Sequence, residues 1–269
     1  MACLLGAIIG DVAGSRFEWD NHRDKEFELF AFGCEPTDDS IMTLAVARAL
    51  LETREDRSRL VPCVIRQMQH MGRRYPNAGY GARFGQWLDA RDPKPYNSYG
   101  NGAAMRISAC AQAAASLAEA KQLAADVTAV THNHPEGMKG AEAVTVAIFL
   151  AREGKPKEEI RKAVEDGYYK LDFKLDDIRD SYQFDETCQG SVPQALEAFF
   201  EGTGFEDTIR NAISIGGDSD TIAAIAGSVA EAYYGVPEAV RQAVLPYLDT
   251  EMRRIVADFE AAYPLRNSR

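Results

Sequence analysis

The chain has 269 residues, of which 46% are hydrophobic and 26% are charged, an ordinary composition for a soluble globular protein. Its formal net charge of −11 argues against broad, nonspecific nucleic-acid binding and against binding to an anionic membrane surface. No stretch reaches the roughly eighteen uninterrupted apolar residues that a membrane span requires. The first residues, MACLLGAIIGDVAG, lack the basic start of a secretion signal and contain Asp11, so they are predicted to form a buried helix.

Helical periodicity runs along nearly the whole chain, and no alternating apolar run indicates a β-sheet. Alanine-rich apolar faces predict helices at 1–18, 38–53, 58–73, 102–118, 119–131, 138–153, 156–169, 190–201, 205–214, 219–234 and 236–262. The chain contains no repeat of fixed period, no low-complexity tract and no obvious linker. The sequence therefore predicts an all-α fold in a single domain, residues 1–269, with the unusual residues in loops.

The cysteines carry no sign of a metal site or a disulfide framework. There are five of them, an odd number, and they form no C-x-x-C pair: Cys3, Cys34, Cys63, Cys110 and Cys188. This pattern favours reduced thiols in a cytoplasmic protein. No motif supports a catalytic cysteine, so buried apolar positions are the expected role.

The first predicted helix combines two acidic residues with a stripe of glycines. Asp11 and Glu18 are seven residues apart, so we expect them on nearly the same helix face. Gly6, Gly10 and Gly14 form a separate stripe that would let a neighbouring helix approach closely. A glutamate at a helix end is usually solvated, and Glu18 gains interest only if an acidic cluster lies opposite it.

Two predicted helices begin with a dense group of carboxylates and hydroxyls, Thr37–Ser40 and Asp218–Thr221. Helix capping is one explanation, because these side chains accept hydrogen bonds from unpaired N–H groups and suit the helix dipole. A metal site is the alternative. One capping oxygen suffices for a helix, and neighbouring carboxylates repel each other unless a hard cation such as Mg²⁺ lies between them. Two facing clusters would supply the oxygens of a two-metal centre.

Two further segments attract attention. Residues 91–102, RDPKPYNSYGNG, place glycine, asparagine and glycine before a predicted helix, where backbone N–H groups can cradle a phosphate. A plain turn is the alternative, and the loop matches neither a P-loop nor a Rossmann fingerprint.

The segment Thr131–Pro135, THNHP, closes one helix and opens the next. Its two histidines are spaced two residues apart, which argues against a helical zinc pair.

Six segments follow one another along the chain: GAIIGDVAGSRFE (6–18), TDDS (37–40), SYGNGAAMR (98–106), THNHPEG (131–137), GGDSDTIAAIAG (216–227) and YYG (233–235). Together they resemble the ADP-ribosylglycohydrolase family, also called ADP-ribosyl-acceptor hydrolases. The similarity covers almost the whole chain, and the two acidic motifs in this order are very specific. The resemblance implies an orthogonally packed, all-α helical bundle with two Mg²⁺ ions, or Mn²⁺ in some members.

The resemblance also implies roles for individual residues. The implied metal ligands are Thr37, Asp38, Asp39, Asp218, Asp220 and Thr221. The implied substrate-binding residues are Ser98, Tyr99, Gly100, Asn101 and Gly102, which would hold the diphosphate and ribose of ADP-ribose, together with His132 in the cleft wall. Tyr99 could stack on adenine, with Tyr96 as a weaker candidate, and His134 has less support. Ser40 stands where the family more often has threonine. Glu18 or Asp39 would transfer the proton, although some family members lack the glutamate.

The activity implied is hydrolysis of an N- or O-glycosidic bond between ADP-ribose and an acceptor, which is a protein side chain or a small molecule. ADP-ribose is the product. Such bonds break through an oxocarbenium-like transition state in which carboxylates share the acid and base work. One rival is a Mg²⁺-dependent nucleotide phosphohydrolase. Another is a catalytically silent ADP-ribose-binding protein, against which the two intact acidic motifs argue.

Overall fold

The computed structural model describes residues 4–264. Within this range the chain forms α-helices and no strand, and the one β-type contact is an isolated bridge between Gly100 and Thr187. The helices are α1 (Leu5–Gly14), α2 (Asp38–Glu52), α3 (Leu60–Arg74), α4 (Ala82–Asp89), α5 (Ser108–Ala113), α6 (Leu117–Thr128), α7 (Pro135–Arg152), α8 (Lys157–Gly167), α9 (Leu175–Ile178), α10 (Cys188–Glu201), α11 (Phe205–Ile213), α12 (Ser219–Tyr234), α13 (Glu238–Val244) and α14 (Thr250–Ala262). The prediction of an all-α fold is confirmed.

The centre of the molecule is built from α1 and α12. Every residue of α1 is buried, and α12 is buried from its first residue to Glu231. Helices with apolar or small residues on all sides are buried on all sides, so they pack in the middle of a helical protein. The α12 helix contacts α1, α7, α10 and α11, while α2 lies beside α1. The N-terminal ends of α2 and α12 thus lie near each other in the interior.

The glycine stripe of α1 allows its backbone to touch that of α12, as the sequence predicts. A Cβ atom added to Gly10 would lie 2.0 Å from the carbonyl oxygen of Ala223, and one added to Gly6 would lie 2.2 Å from that of Gly227. At Gly14 an added Cβ would lie 2.6 Å from the Cα atom of Asp220. Because the obstructing atoms are backbone atoms, no side-chain rotation can relieve these clashes.

We therefore expect the substitution Gly10→Ala to destabilise the fold by about 3 kcal/mol, the upper end of ordinary overpacking. The matched control is Gly85→Ala in α4, because no described atom lies within 4 Å of an added Cβ there. That control should gain roughly 0.5–1 kcal/mol, since alanine favours a helix interior more than glycine does. Urea unfolding measures both changes. Equal stability of the two variants would contradict the backbone contact.

The predicted helix at 102–118 is wrong, because two shorter elements replace it. Asn101–Ala103 form one turn of 3₁₀ helix, and α5 begins only at Ser108. The break after α5 is stabilised by the buried Arg152, which donates to the carbonyl oxygens of Ala111, Gln112 and Ala114 at 2.7–2.9 Å. The side chain of Ser116 then caps α6 by accepting from the N–H of Glu119.

Other boundaries differ for reasons of local chemistry. The predicted helix at 236–262 is divided into α13 and α14 by a 3₁₀ turn that contains Pro246, after which Asp249 caps α14. The predicted helix at 1–18 ends at Gly14 and continues as a 3₁₀ turn over Ser15–Phe17. Helices α4 and α9 were not predicted, although Phe84, Trp87 and Leu88 give α4 a short buried face.

The cysteines and the helix lengths can be compared with the sequence predictions. Cys34, Cys63, Cys110 and Cys188 are buried and unpaired, as expected, while Cys3 lies outside the described residues. Burial raises the pKa of the Cys188 thiol to about 12, which suits a buried filler rather than a nucleophile. Among residues 4–264, every helix is too short or too polar to cross a lipid bilayer.

Candidate active site

A cleft of about 620 Å³ opens above the N-terminal ends of α2 and α12. Its wall includes most of the residues that the sequence singled out: Glu18, Asp38, Asp39, Tyr96, Ser98, Tyr99, Gly100, Asn101, Gly102, His132, Asp218, Asp220 and Thr221. Residues from five separate chain segments therefore meet in one cavity. Thr37 and His134 do not line the cleft.

The two acidic clusters meet in space. The hydroxyl of Thr221 in α12 donates to Oδ2 of Asp39 in α2 at 3.1 Å. Carboxylate oxygens of Asp11, Asp39 and Asp220 lie within 4.8 Å of one another, and so do those of Glu18, Asp218 and Asp220. Asp220 belongs to both groups, so the two groups are continuous through its carboxylate.

The N-cap side chains of α2 and α12 do not cap their own helices. Neither Thr37 nor Asp218, the N-cap residues of α2 and α12, makes a side-chain capping hydrogen bond within the described chain. The cap of α2 comes from Asp11 in α1, whose Oδ2 accepts from the backbone N–H groups of Thr37 and Ser40, both at 3.0 Å. Asp11 also accepts from the Thr37 hydroxyl at 2.6 Å, which accounts for the absence of Thr37 from the cleft wall.

Burial destabilises the charged forms of these carboxylates and so raises their pKa values. Removal from water, followed by repulsion from Asp11, raises the pKa of Asp38 to about 8. The same two effects raise the pKa of Asp39 well above its ordinary value, and burial followed by repulsion from Asp218 does so for Asp220. Burial also raises the pKa of Glu18 to about 7. Such a group is stable in its ionised form only when positive charge lies among the carboxylates.

The donor set fits a hard divalent cation. It consists of carboxylate and hydroxyl oxygens, which are the ligands that Mg²⁺ and Mn²⁺ prefer. The Oδ1 atom of Asp39 is buried and has no hydrogen-bond partner among the described residues. A buried carboxylate oxygen without a donor is costly unless an ion lies beside it. The arrangement is therefore chemically suited to hold metal ions.

We expect the metal-free protein to lose stability as the pH rises from 5 to 8. The folded-state pKa values of Asp38 and Glu18 are raised above the ordinary values of 3.8 and 4.5, so the folded state binds more protons than the unfolded state in this window. The melting temperature should fall by at least about 5 °C, and about 5 mM Mg²⁺ should remove most of the fall.

Thermal scans with chelator and with Mg²⁺ measure this effect. The substitution Asp38→Asn should flatten the pH dependence in chelator, because it removes one of the carboxylates with a raised pKa. Glu231 is a useful internal reference, since burial raises its pKa to about 8 away from the acidic clusters, and its contribution should not respond to Mg²⁺. A metal-free melting temperature that rises from pH 5 to 8 would contradict the electrostatic description.

The loop 98–102 is joined directly to the acidic cluster. The side-chain amide of Asn101 donates to Oδ2 of Asp218 at 2.6 Å. The backbone N–H of Asn101 donates to Glu186, and the carbonyl of Tyr99 accepts from the N–H of Cys188. A 3₁₀ turn, rather than an α-helix, follows the loop. In that turn the N–H groups of Ala103 and Ala104 are already bonded to Gly100 and Asn101.

Comparison with known proteins decides the family. The family model described as ADP-ribosylglycohydrolase matches residues 1–268. The chain belongs to the ADP-ribosylglycohydrolase family. It is 27% identical to the ADP-ribosylhydrolase ARH3 of Homo sapiens over 329 aligned residues, covering 93% of this chain and 90% of that protein. It is 29% identical to the ADP-ribosylarginine hydrolase Tri1 of Pseudomonas putida (strain GB-1) over 267 residues, covering 87% and 70%.

A solved structure supports the fold. It is titled an ADP-ribosylglycohydrolase-related protein complex and superposes with a TM-score of 0.71, covering 98% of this chain and 96% of that chain at 24% sequence identity. At this level of sequence identity the superposition supports only the fold, which is that of the ADP-ribosylglycohydrolase family. It agrees with the all-α architecture described above.

In this family member Glu18 reaches the acidic cluster from the 3₁₀ turn that follows α1. After α1 ends, the 3₁₀ turn carries Glu18 to the Asp218 side of the cleft. Asn21, which sequence reasoning missed, fixes this turn. Its amide nitrogen donates to the carbonyls of Glu18 at 3.1 Å and Gly217 at 3.0 Å, and its oxygen accepts from the Gly217 N–H. Gly217 has φ +75°, so the turn before Asp218 requires glycine.

Two aromatic pairs lie at the cleft of this family member. Tyr99 is 45% exposed and its ring centroid lies 5.1 Å from that of His134. Trp19 and Phe184, which the sequence did not single out, are stacked at 5.1 Å and are both exposed. Trp19 follows Glu18 directly and lines the cleft. A single aromatic residue in a loop carries no periodic signal, so sequence patterns alone could not have paired Trp19 with Phe184.

Proposed function

We propose that this protein hydrolyses the glycosidic bond between ADP-ribose and an acceptor, with two Mg²⁺ ions as cofactors and ADP-ribose as product. The observation that supports this most directly is the pair of overlapping carboxylate groups that share Asp220 in one cleft. Membership of the ADP-ribosylglycohydrolase family, and the names of relatives such as ARH3 and Tri1, support the substrate class.

The proposed ligands of the metal ions are the residues that the sequence indicated: Thr37, Asp38, Asp39, Asp218, Asp220 and Thr221. Ions held there would supply Lewis-acid chemistry toward ribose hydroxyls and an attacking water, and Mn²⁺ would supply the same chemistry. Thr37 is the least direct of the six, because its hydroxyl donates to Asp11. Asp11 itself is proposed as a support that orients the start of α2.

Glu18 is proposed as the proton-transfer group, with Asp39 as the alternative. Its carboxylate lies with those of Asp218 and Asp220. A carboxylate in that place can donate a proton to the leaving group or accept one from an attacking water. Positioning by Asn21 keeps Glu18 beside the acidic cluster. As the glycosidic bond breaks, negatively charged carboxylates in the cleft would also stabilise an oxocarbenium-like transition state.

The ADP-ribose moiety is proposed to bind along Ser98, Tyr99, Gly100, Asn101 and Gly102, with His132 in the facing wall. Gly100 and Gly102 leave room beside the His132 ring, because added Cβ atoms would lie 3.6 Å and 3.3 Å from its Nε2 atom. The exposed ring of Tyr99 offers a stacking surface for adenine. We further propose that the protein works in the cytoplasm, since the described cysteines are buried and unpaired.

Product analysis tests the proposed function. The purified protein would be incubated with an ADP-ribosylated peptide and Mg²⁺, and the released compounds separated by chromatography. We expect intact ADP-ribose and unmodified peptide. A phosphohydrolase would instead cut the diphosphate and leave ribose phosphate on the peptide. Binding of ADP-ribose without any release would identify a silent binding protein.

A further inference from the structure

We propose that Arg106 is a positioning residue that, through Thr131, holds His132 as a neutral imidazole whose Nε2–H donates a hydrogen bond into the cleft. The partner of that hydrogen bond would be a phosphate or ribose oxygen of the ligand, and this part rests on the proposed function. The orientation of the ring and the location of its proton rest on the side-chain contacts alone.

The guanidinium of Arg106 is the first member of a buried chain of hydrogen bonds. Arg106 is only 1% exposed and lies in the turn between the 3₁₀ helix and α5. Its Nη2 atom donates to the hydroxyl oxygen of Thr131 at 2.6 Å and lies 3.3 Å from Nδ1 of His132. Although burial lowers its pKa to about 10, Arg106 remains charged near neutral pH. It can therefore only donate, and the atoms facing it must accept.

Thr131 transmits this constraint to the imidazole. Its Oγ1 atom lies 2.7 Å from Nδ1 of His132. The Nη2 atom of Arg106, which can only donate, also lies 3.3 Å from Nδ1, so Nδ1 carries a lone pair and accepts the Thr131 hydroxyl proton. In a neutral imidazole the proton then sits on Nε2. That atom is the one that faces Gly100 and Gly102 in the cleft.

The surroundings also keep the ring uncharged. Burial, and then the positive charge of Arg106, lowers the pKa of His132 well below its ordinary value. The other ring close to His132 belongs to Tyr96, whose pKa is raised by burial, so it stays neutral as well. His132 is thus arranged as a hydrogen-bond donor that does not change with pH, rather than as a general acid.

The substitution Thr131→Val tests the proposal, because it removes the hydroxyl and keeps the shape of the side chain. Thr128→Val is the matched control, since Thr128 is also buried but its hydroxyl has no hydrogen-bond partner among the described residues. Thr131→Ser should behave as the wild type because it keeps the hydroxyl. NMR of ¹⁵N-labelled histidine in the free protein reports the tautomer, and calorimetry with ADP-ribose and Mg²⁺ reports affinity.

We expect the wild type, Thr131→Ser and Thr128→Val to show only the Nε2–H tautomer between pH 5 and 8. Thr131→Val should show a mixture of tautomers and about tenfold weaker ADP-ribose binding, the effect of one misplaced hydrogen bond. An Nδ1–H tautomer in the wild type, or identical spectra and affinities for the Thr131→Val and Thr128→Val variants, would overturn the proposal. Absence of ADP-ribose binding in the wild type, with the tautomer as expected, would instead count against the proposed function.

Discussion

Replacing Asp220 with alanine is expected to reduce hydrolysis by about a thousandfold, because this carboxylate belongs to both acidic groups of the cleft. Loss of a single preorganised charged or polar group in a water-poor site costs roughly a hundredfold to a thousandfold in rate. The rate loss on removing a group that both clusters share should lie at the upper end of this range. In the wild type, chelation should have the same effect, and addition of Mg²⁺ or Mn²⁺ should reverse it.

Release of ADP-ribose from a modified peptide measures this loss. Asp166→Ala is a matched control, because Asp166 is an exposed aspartate that pairs with Lys162 on the surface of α8. The metal-free Asp220→Ala variant should also be at least as stable as the metal-free wild type above pH 7, since it lacks one of the repelling carboxylates. Full activity in excess chelator would end the two-metal proposal.

Replacing Glu18 with glutamine is expected to slow release of serine-linked ADP-ribose by at least about a hundredfold, the lower end of general acid–base effects. A serine alkoxide is a poor leaving group and needs proton donation or metal assistance as the bond breaks. A linked arginine already carries positive charge on its guanidinium and can leave as a neutral guanidine. Release from an arginine-linked substrate should therefore depend less on Glu18.

Matched serine- and arginine-modified peptides distinguish the two acceptors. We propose a modest preference for the O-linked substrate, because a carboxylate that can donate a proton lies beside the acidic cluster. Asp20→Asn, two residues along and exposed, is the control for local changes in charge. Release from the arginine peptide alone, unaffected by Glu18→Gln, would refute both the preference and the role.

The sequence predicted the two acidic helix starts because they carry more oxygen ligands than capping requires. That surplus is local and can be read from neighbouring residues. The partner that caps α2 is Asp11, which lies 26 residues before Thr37, and no local pattern reveals such a contact. The glycine stripe of α1 was also predicted from the sequence, since a repeat every four residues places small residues on one helix face.

The remaining errors have a common physical origin in tertiary contacts. The predicted helix at 102–118 has suitable helix-forming residues, but Arg152 from α7 holds the carbonyls where the helix would continue. The predicted helix at 1–18 ends at Gly14, and beyond it Asn21 binds the carbonyls of Glu18 and Gly217. In both places a side chain distant in sequence or outside the periodic pattern decides the backbone path.

The direct contact between the backbones of α1 and α12 has a consequence for ion selectivity. Gly14 lies against the Cα atom of Asp220, so the start of α12 cannot move toward or away from α1 without breaking the core. Ca²⁺ requires six to eight oxygens at about 2.3–2.6 Å, whereas Mg²⁺ is held at about 2.0–2.1 Å. If metal ions bind there as proposed, this main-chain contact would limit how far Asp220 can move back to suit the larger ion. Discrimination between the two cations would then originate in helix packing, and engineering a calcium-preferring variant would have to begin at the glycines of the core.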